Sequence, residues 1–244
     1  MDENKDKKIR IIFEIANNHQ GNVNHFKKIL DDIYISTRNF LDDFDFLIKF
    51  QFRDIPTFVD QSIDPNTNKH ISRFNDTVLS IDEWKEIINL VNQKKFKTLV
   101  TPFDEVSVAK ALSLGIQEFK IASCSCTEWS LLREVVNTGM PVTISTAGRN
   151  LKEIDEIYSY FAHLIPNNFT LMHCCGIYPA PNKSLNLNTL SNFKERYPLA
   201  KIGYSGHEDP NNHLVSSLAI TLGAEAIERH IGKEDLDNGI NINK

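Results

Sequence analysis

The feature that most constrains this chain is an alternation of short apolar segments with longer segments of helical periodicity. The apolar segments are rich in β-branched and aromatic residues, and several are apolar at both odd and even positions, which is typical of strands buried on two faces. The strand pattern occurs eight times, over residues 9–16, 44–51, 97–103, 118–123, 141–147, 169–175, 201–207 and 226–232. Strands that alternate with helices predict parallel pairing through right-handed crossovers.

Helical patterns separate the strands, over residues 23–38, 82–95, 105–114, 128–138, 150–164, 186–196 and 211–222. Gly115, Gly139 and Gly223 each follow such a pattern, where a left-handed residue usually closes a helix. A chain of 244 residues has about 30 residues for each of eight strand–helix units, and barrels of this kind have about 250 residues. We therefore predict an α/β fold, a TIM (β/α)₈ barrel, with an open doubly wound sheet as the alternative.

Two segments depart from the eightfold rhythm. Residues 52–80 are polar, contain two prolines and lack a clear period, which predicts a functional lid, with a disordered insertion as the alternative. After the eighth strand only a polar segment, 233–244, remains. We expect residues 1–244 to form a single barrel whose eighth helix is missing or outside the chain, and we expect the chain to be a fragment of a longer protein.

Composition and charge exclude several classes of protein. The chain has 27 Lys and Arg against 32 Asp and Glu, a net charge of -5, which argues against nucleic-acid binding. It has no apolar run long enough for a membrane span and no apolar segment of the signal-peptide kind at its charged N-terminus. The cysteines form two close pairs, Cys124/Cys126 and Cys174/Cys175, without metal or redox spacing. A reduced, cytoplasmic protein is therefore expected.

Polar and ionisable residues lie at the carboxyl end of every predicted strand. In a barrel these ends meet on one face, which carries the active site, whereas an open sheet gathers them mainly at one switch point. The residues are Glu14, Lys49, Gln51, Thr101, Lys120, Ser123, Ser145, Thr146, His173, Ser205, His207, Glu228 and His230. Glycine-rich phosphate loops and the nucleophile elbow are absent from the sequence, which excludes several common enzyme classes.

Two groups among these residues have alternative interpretations. Lys49 and Lys120, together with hydroxyl groups, suit a phosphate or carboxylate ligand, but they could instead pair with carboxylates such as Glu14 and Glu228. His207 and His230 lie on neighbouring strand ends and could ligate a divalent metal, although their spacing matches no compact metal motif. His173, next to two cysteines, is interpreted as a core residue.

Taken in order, the strand-end segments resemble the motifs of the sialic acid synthase (N-acetylneuraminate synthase) family. They are EIANNHQGN at 14–22, KFQ at 49–51, TPFD at 101–104, KIAS at 120–123, STAG at 145–148, HCCGIYPAP at 173–181, GYSGH at 203–207 and IERHIG at 227–232. Each motif is short, but eight occur in the family's order over nearly the whole chain. The resemblance implies condensation of phosphoenolpyruvate with an N-acylmannosamine-like aldose, which gives a sialic-acid-like nonulosonic acid and phosphate.

The resemblance also implies a role for each candidate residue. Those expected to bind phosphoenolpyruvate are Lys49, Thr101, Lys120, Ser123, Ser145 and Ser205. Glu14, Gln51 and Tyr178 would face the sugar and the reacting centre. His207 and His230 would hold a divalent metal, Mn²⁺ or Mg²⁺, which polarises the sugar aldehyde. A homodimer is expected, and the family's C-terminal antifreeze-like domain is absent from this sequence.

Several positions depart from the family's pattern. The acidic residue after KIAS is replaced within Cys124–Ser125–Cys126, and Gly206, Gly176 and Asn241 replace the residues usual at their positions. Because these are sugar-side positions, we hypothesise that the acceptor differs from N-acetylmannosamine. The alternatives are a phosphoenolpyruvate–aldose synthase of the 3-deoxy-octulosonate or heptulosonate type, and a non-catalytic ligand-binding barrel.

Overall fold

The computed structural model describes residues 8–234, apart from the side chain of Asn66. The strands within this range are β1 (Ile9–Ala16), β2 (Phe44–Phe52), β3 (Lys97–Pro102), β4 (Glu118–Ile121), β5 (Val142–Ser145), β6 (Phe169–Cys174), β7 (Lys201–Gly206) and β8 (Ala226–His230). All of them pair in parallel and in sequence order, and β1 also pairs with β8, so the sheet closes into a barrel. The barrel prediction is confirmed, and the alternative of an open sheet is wrong.

Helices connect the strands on the outside of the barrel. In the described range they are α1 (Val23–Thr37), α2 (Ile55–Phe58), α3 (Lys69–Asp76), α4 (Ile81–Gln93), α5 (Glu105–Ser113), α6 (Trp129–Asn137), α7 (Leu151–Leu164), α8 (Thr189–Arg196) and α9 (His213–Thr221). Short 3₁₀ helices are Arg38–Phe40, Pro65–Thr67, Ser123–Ser125 and Asn182–Ser184. Gly115, Gly139 and Gly223 have φ angles of 72°, 69° and 101°, so the predicted left-handed helix ends are confirmed.

The barrel wall separates two apolar regions. Outside it, a large core joins strands to helices, with contacts such as that between Phe50 and Trp84. Inside it, Ile12, Leu47 and Leu99 form a small buried cluster. Residues two positions further along a strand face the same side, so the polar residues that follow this cluster also face the barrel interior. The apolar layer thus supports a polar layer at the carboxyl ends of the strands.

Residues 53–79, here called the cover segment, connect β2 to α4. They contain α2, the 3₁₀ helix Pro65–Thr67 and α3. Phe58 packs against Phe74 and against Phe103 at the end of β3, with ring centroids 6.0 and 5.8 Å apart. The alternative of a disordered insertion is therefore wrong for these residues, and the lid function remains a prediction.

Some expectations concern the ends of the chain. The missing eighth helix and Asn241 fall beyond Glu234, outside the described residues. Among residues 8–234, no helix is both long and apolar enough to cross a membrane. The four cysteines are free thiols in this structure, and the reduced state of the protein remains a prediction.

Gly203 on β7 is approached closely by both neighbouring strands. A Cβ atom at this position would overlap the Met172 side chain and lie 2.9 Å from the carbonyl oxygen of Ala226. We expect Gly203→Ala to lower the free energy of unfolding by about 1–3 kcal/mol in urea denaturation, because the closed wall leaves no room for the methyl group. Gly176→Ala is the control, since its nearest contacts would be 3.8 Å away. Equal losses in both variants would contradict this explanation.

Candidate active site

The carboxyl ends of the strands surround one cavity of about 320 Å³. Most of the candidate residues predicted from the sequence line it. They are Glu14, Lys49, Gln51, Lys120, Ser123, Ser145, Tyr178, Ser205, His207 and His230. Glu228 lines it as well, whereas Thr101, Thr146 and His173 do not, and Thr101 is buried at the end of β3. The structure therefore brings together residues from both ends of the chain, as the barrel prediction requires.

Two lysines and two glutamates form a buried Lys–Glu cluster in this cavity: Glu14, Lys49, Lys120 and Glu228. Lys49 Nζ donates to Glu228 Oε1 at 2.8 Å and also pairs with the Glu14 carboxylate. Lys120 Nζ donates to Glu228 Oε2 at 2.8 Å. Ser205 Oγ donates to Glu228 Oε1 at 3.2 Å. Glu228 is therefore the centre of the cluster, with contacts to two cations and one hydroxyl group.

The charges of the Lys–Glu cluster perturb the ionisation of its members. Burial opposes the charged form of Lys49, but Glu14 and Glu228 outweigh it and raise the pKa of this lysine. Burial lowers the pKa of Lys120, which has a single carboxylate partner. Burial also opposes ionisation of Glu228, yet the two ammonium groups hold its pKa well below the usual range. With all four groups ionised, the formal charge of the cluster is zero.

The zero net charge of the cluster bears on whether Lys49 and Lys120 bind an anion or pair with carboxylates. In the ligand-free chain, the ion-pair interpretation of Lys49 and Lys120 is the one observed. An ammonium group has three donors, and Lys120 uses one of them within the cluster, so further donors remain for an anionic ligand. The anion site remains a prediction that the cluster permits.

Hydroxyl and backbone groups complete the polar wall of the cavity. Ser123 Oγ accepts a hydrogen bond from the Ala147 N–H at 3.0 Å and lies 3.5 Å from Cys174 Sγ. Glu14 Oε1 accepts from the Ala16 N–H at 2.6 Å. Thr101 Oγ1 is buried and has no hydrogen-bond partner among residues 8–234, but it does not reach the cavity.

His207 and His230 face each other at the mouth of the cavity. Their ring centroids are 5.8 Å apart, and Tyr178 packs edge-on against both rings at 5.3 and 5.8 Å. His207 Nδ1 lies 3.2 Å from the carbonyl oxygen of Cys175, to which it can only donate. The neutral ring therefore carries its lone pair on Nε2. Burial, and the nearby His230, lower the pKa of His207 and favour this neutral form.

An ion pair next to the two histidines ties β7 to β8. Glu208, which is buried, pairs with Arg229 and accepts a hydrogen bond from the Tyr204 hydroxyl at 2.8 Å. A Cβ atom at Gly206 would lie 2.7 Å from Arg229 Nη1 and 2.8 Å from Glu208 Oε2, so a larger residue there would displace the ends of these two side chains. Gly206 is one of the positions that depart from the family's pattern, and the carboxylate of Glu208 lies two residues later in the chain.

The candidate metal ligands at the cavity mouth are the two imidazoles of His207 and His230. Among the described residues, no group of three or more His, Cys, Asp and Glu side chains is arranged to hold a metal ion. A closed structural zinc site needs about four protein ligands. His207 and His230 could instead hold a divalent transition-metal ion whose other ligands are water and substrate oxygens.

Two residues at or beside the cavity were not predicted from the sequence, and a third was predicted only in part. Glu228 was predicted as a strand-end residue and as an alternative partner of the two lysines, and its position two residues before His230 places both on the same face of β8. Glu208 and Arg53 carried no sequence signal. His173 was interpreted correctly, because its Nε2 donates to the Leu185 carbonyl oxygen at 2.7 Å and packs against Phe193.

Known proteins share both sequence and architecture with this chain. The model of the NeuB family matches residues 46–242. An N-acetylneuraminate-9-phosphate synthase of Drosophila melanogaster is 26% identical over 239 residues, which cover 95% of this chain and 62% of that protein. An N,N'-diacetyllegionaminic acid synthase of Campylobacter jejuni is 30% identical over 230 residues, 92% of this chain and 67% of that protein. The chain thus spans less than the full length of these curated relatives.

Solved structures agree with the sequence comparison. A protein of Chromobacterium violaceum, described as a spore coat polysaccharide biosynthesis protein E, has a TM-score of 0.90 and 38% identity over 96% of this chain and 69% of its own. A truncated 3-deoxy-D-arabino-heptulosonate 7-phosphate synthase of Thermotoga maritima has a TM-score of 0.67 at 12% identity over 98% of this chain and 83% of its own, which shows a shared fold alone. Because the family model covers most of the chain, as the ordered motifs predicted, this chain belongs to the NeuB family.

Proposed function

We propose that this protein condenses phosphoenolpyruvate with an N-acylated, mannosamine-like aldose to give a nonulosonic acid and phosphate. The observation that carries the proposal is the single cavity in which ten candidate residues from distant parts of the chain meet. Family membership supports it, since the relatives named above are synthases of sialic-acid-like products. The Lys–Glu cluster and the surrounding hydroxyl groups supply the donors that a phosphate and a carboxylate need.

The proposed steps use this chain's own residues as follows. Lys49, Lys120 and the hydroxyl groups hold phosphoenolpyruvate while its enol carbon attacks the aldehyde carbon of the sugar. Water then adds to the cation-like carbon left behind, the Glu14 carboxylate accepts the proton of that water, and this proton passes to the alkoxide that the aldehyde oxygen has become. The resulting tetrahedral intermediate expels phosphate, whose developing charge is stabilised by the same ammonium and hydroxyl donors. Gln51 and Tyr178 orient the sugar.

His207 and His230 are the residues proposed to hold a divalent metal, Mn²⁺ or Mg²⁺. The lone pair on His207 Nε2 and the closeness of the two rings support this assignment. A bound divalent ion supplies Lewis acidity at the aldehyde oxygen. The Glu208–Arg229 pair joins the residue that follows His207 to the residue that precedes His230, and so helps to hold the two imidazoles in place.

The acceptor is proposed to differ from N-acetylmannosamine, because Gly176 and Cys124 line the cavity where the family has larger or acidic residues. A screen of aldoses for phosphate release with added Mn²⁺ tests the whole proposal. A nine-carbon product needs a six-carbon aldose, whereas octulosonate and heptulosonate products need five- and four-carbon aldoses. Release with the shorter aldoses would establish the alternative synthase, and binding of phosphoenolpyruvate without any release would establish a non-catalytic barrel. N-Acetylmannosamine as the best substrate would contradict the altered acceptor.

Lys120→Ala is expected to weaken the binding of phosphoenolpyruvate by about 10–100-fold, since a hydrogen bond to a charged group contributes about 1.5–3 kcal/mol. Glu228 keeps Lys49 and Ser205 as partners in this variant, so the fold is expected to survive. Isothermal titration calorimetry measures the affinity. Lys201→Ala, which removes an exposed charge at the opposite end of the barrel, is the control. Unchanged affinity in Lys120→Ala would exclude this lysine from the phosphate site.

The protein is further proposed to act as a homodimer in the cytoplasm, in line with the expectation from the resemblance. Light scattering of the purified chain measures the oligomeric state directly.

A further inference from the structure

A second, smaller cavity of about 60 Å³ lies beneath the cover segment. Gln51 lines both this cavity and the active-site cavity, so the two adjoin. Two cationic residues, Arg53 and Lys110, line the smaller cavity, and none of the described residues around it is an aspartate or glutamate. Its volume is about that of two water molecules, which is comparable with a small oxyanion.

Arg53 is held in place by aromatic rings rather than by a carboxylate. Its guanidinium carbon lies 4.0 Å from the ring centroid of Phe103 and 4.3 Å from that of Phe74. Its Nη2 donates to Gln51 Oε1 at 2.7 Å, while its Nε is buried without an acceptor in the described part of the chain. Stacking on the faces of a guanidinium leaves the N–H donors at its edges available for a planar anionic group.

The carboxylates nearest to Arg53 are already engaged elsewhere. Asp104 accepts hydrogen bonds from the Asp54 N–H at 2.8 Å and from the Ser107 N–H at 2.6 Å, where it caps α5. Glu14 is paired with Lys49. The positive charge of Arg53 is therefore not compensated by an ion pair within residues 8–234.

Lys110 is in a similar position. Its Nζ lies over the rings of Phe52 and Trp84, 5.0 and 5.8 Å from their centroids, with no carboxylate at ion-pair distance in the described range. His19, on the other side of the cavity, adds no further positive charge, since burial lowers its pKa to about 4 and keeps it neutral. Asp54 and Asp104 act on Lys110 only from a distance, and burial still lowers its pKa. Two partly buried cations without a direct ion pair would therefore gain from an anion placed between them.

We propose that Arg53 and Lys110 form an anion subsite for a phosphate or carboxylate group, separate from the Lys–Glu cluster. The anionic group has two chemical sources. It belongs either to phosphoenolpyruvate that extends past Gln51 or to free inorganic phosphate, which the proposed reaction releases. The proposed subsite can be tested without turnover, because the experiment measures only the binding of the anion.

Trp84 lines the subsite, so its fluorescence can be used to follow the binding of an anion. The chain has two tryptophans, and Trp129 is exposed on α6 and lines neither cavity, so Trp129→Phe leaves Trp84 as the single fluorophore. Inorganic phosphate and phosphoenolpyruvate are titrated separately into this variant. A saturable change in Trp84 fluorescence is expected with at least one of them. A change with phosphate identifies free phosphate as a source, and a change with phosphoenolpyruvate alone identifies the substrate.

Arg53→Gln, introduced into the Trp129→Phe background, is expected to weaken that binding about tenfold or more, because it removes a charge-assisted contact. Arg53→Lys keeps the charge and is expected to lose less affinity than Arg53→Gln, whereas a merely structural role would affect both variants alike. Lys110→Met is a second variant that decides the matter if the changes at Arg53 unfold the cover segment. Arg133→Gln removes one exposed positive charge on α6 and is the matched control.

Two results would overturn the proposal. One is the absence of any saturable Trp84 response to millimolar phosphate or phosphoenolpyruvate in the folded protein. The other is a response whose affinity is the same in Arg53→Gln, Lys110→Met and Arg133→Gln. Both results are distinct from failure of the aldose screen. That screen tests the proposed reaction, whereas the fluorescence titration tests the binding of an anion.

Discussion

Replacing Glu228 with alanine is expected to lower the free energy of unfolding by about 3–5 kcal/mol, because it leaves buried ammonium groups without their shared carboxylate. Lys120 would lose its ion-pair partner, and Lys49 would keep only Glu14. Chemical denaturation at neutral pH measures the loss. Turnover is expected to fall as well, since the lysines would no longer be held in one arrangement.

The control for this prediction is an exposed ion pair. Asp32→Asn breaks a surface contact with Lys233 and is expected to change the unfolding free energy by at most about 1 kcal/mol. If Glu228→Ala were no more destabilising than Asp32→Asn, the Lys–Glu cluster would contribute little to stability.

The same carboxylate predicts a dependence of stability on pH. The pKa of Glu228 is lowered in the folded state by Lys120 and Lys49, against the effect of burial. Such a group stabilises the fold above its unfolded pKa of about 4.3, and this contribution is lost as the pH falls below that value. The unfolding free energy of Glu228→Gln is therefore expected to fall less steeply than that of the unmodified protein between about pH 4 and pH 3. Parallel curves would contradict the lowered pKa.

His207→Ala is expected to reduce turnover by about 10³-fold while the barrel remains folded. Several kcal/mol of transition-state stabilisation are attributed to a divalent ion in such reactions, and each 1.36 kcal/mol corresponds to a factor of ten. The fold is expected to survive because His207 lies beyond the end of β7 and only partly within the protein. Phosphate release under saturating Mn²⁺ gives the rate, and calorimetric titration with Mn²⁺ gives the loss of metal binding.

His163→Ala, on the exposed end of α7, is the matched control and is expected to leave both measurements unchanged. Normal Mn²⁺ affinity in His207→Ala would remove the metal assignment. Loss of turnover with normal Mn²⁺ affinity would instead give His207 a role in binding the sugar.

Much of the architecture was predictable because it rests on local patterns. Alternating periods identified all eight strands, and the glycines that end three helices were recognised from their positions alone. Strand ends differed by one or two residues where a turn begins early. β4 ends at Ile121, since Ser123 already starts a 3₁₀ turn. The site followed from the fold, because parallel strands in a barrel bring their carboxyl ends together.

The rest depended on contacts that sequence does not encode locally. The helices of the cover segment have four and eight residues, too few for a helical period to stand out, so the sequence indicated only a long polar segment. The role of Arg53 requires rings from the cover segment and from the end of β3 to meet around it. The ion pair of Glu208 with Arg229 joins the end of β7 to β8, next to Gly206. A contact between residues of different strands cannot be recognised from the sequence alone.

The place of Glu228 on β8 has a consequence for the order in which the barrel assembles. Its contacts with Lys49 and Lys120 join residues 179 and 108 positions apart, so they belong to the slow, long-range class of folding events. A nascent chain released only as far as β7 would have two ammonium groups in its interior against the single carboxylate of Glu14. The charge of the buried Lys–Glu cluster is therefore balanced only once β8 has paired with both β7 and β1.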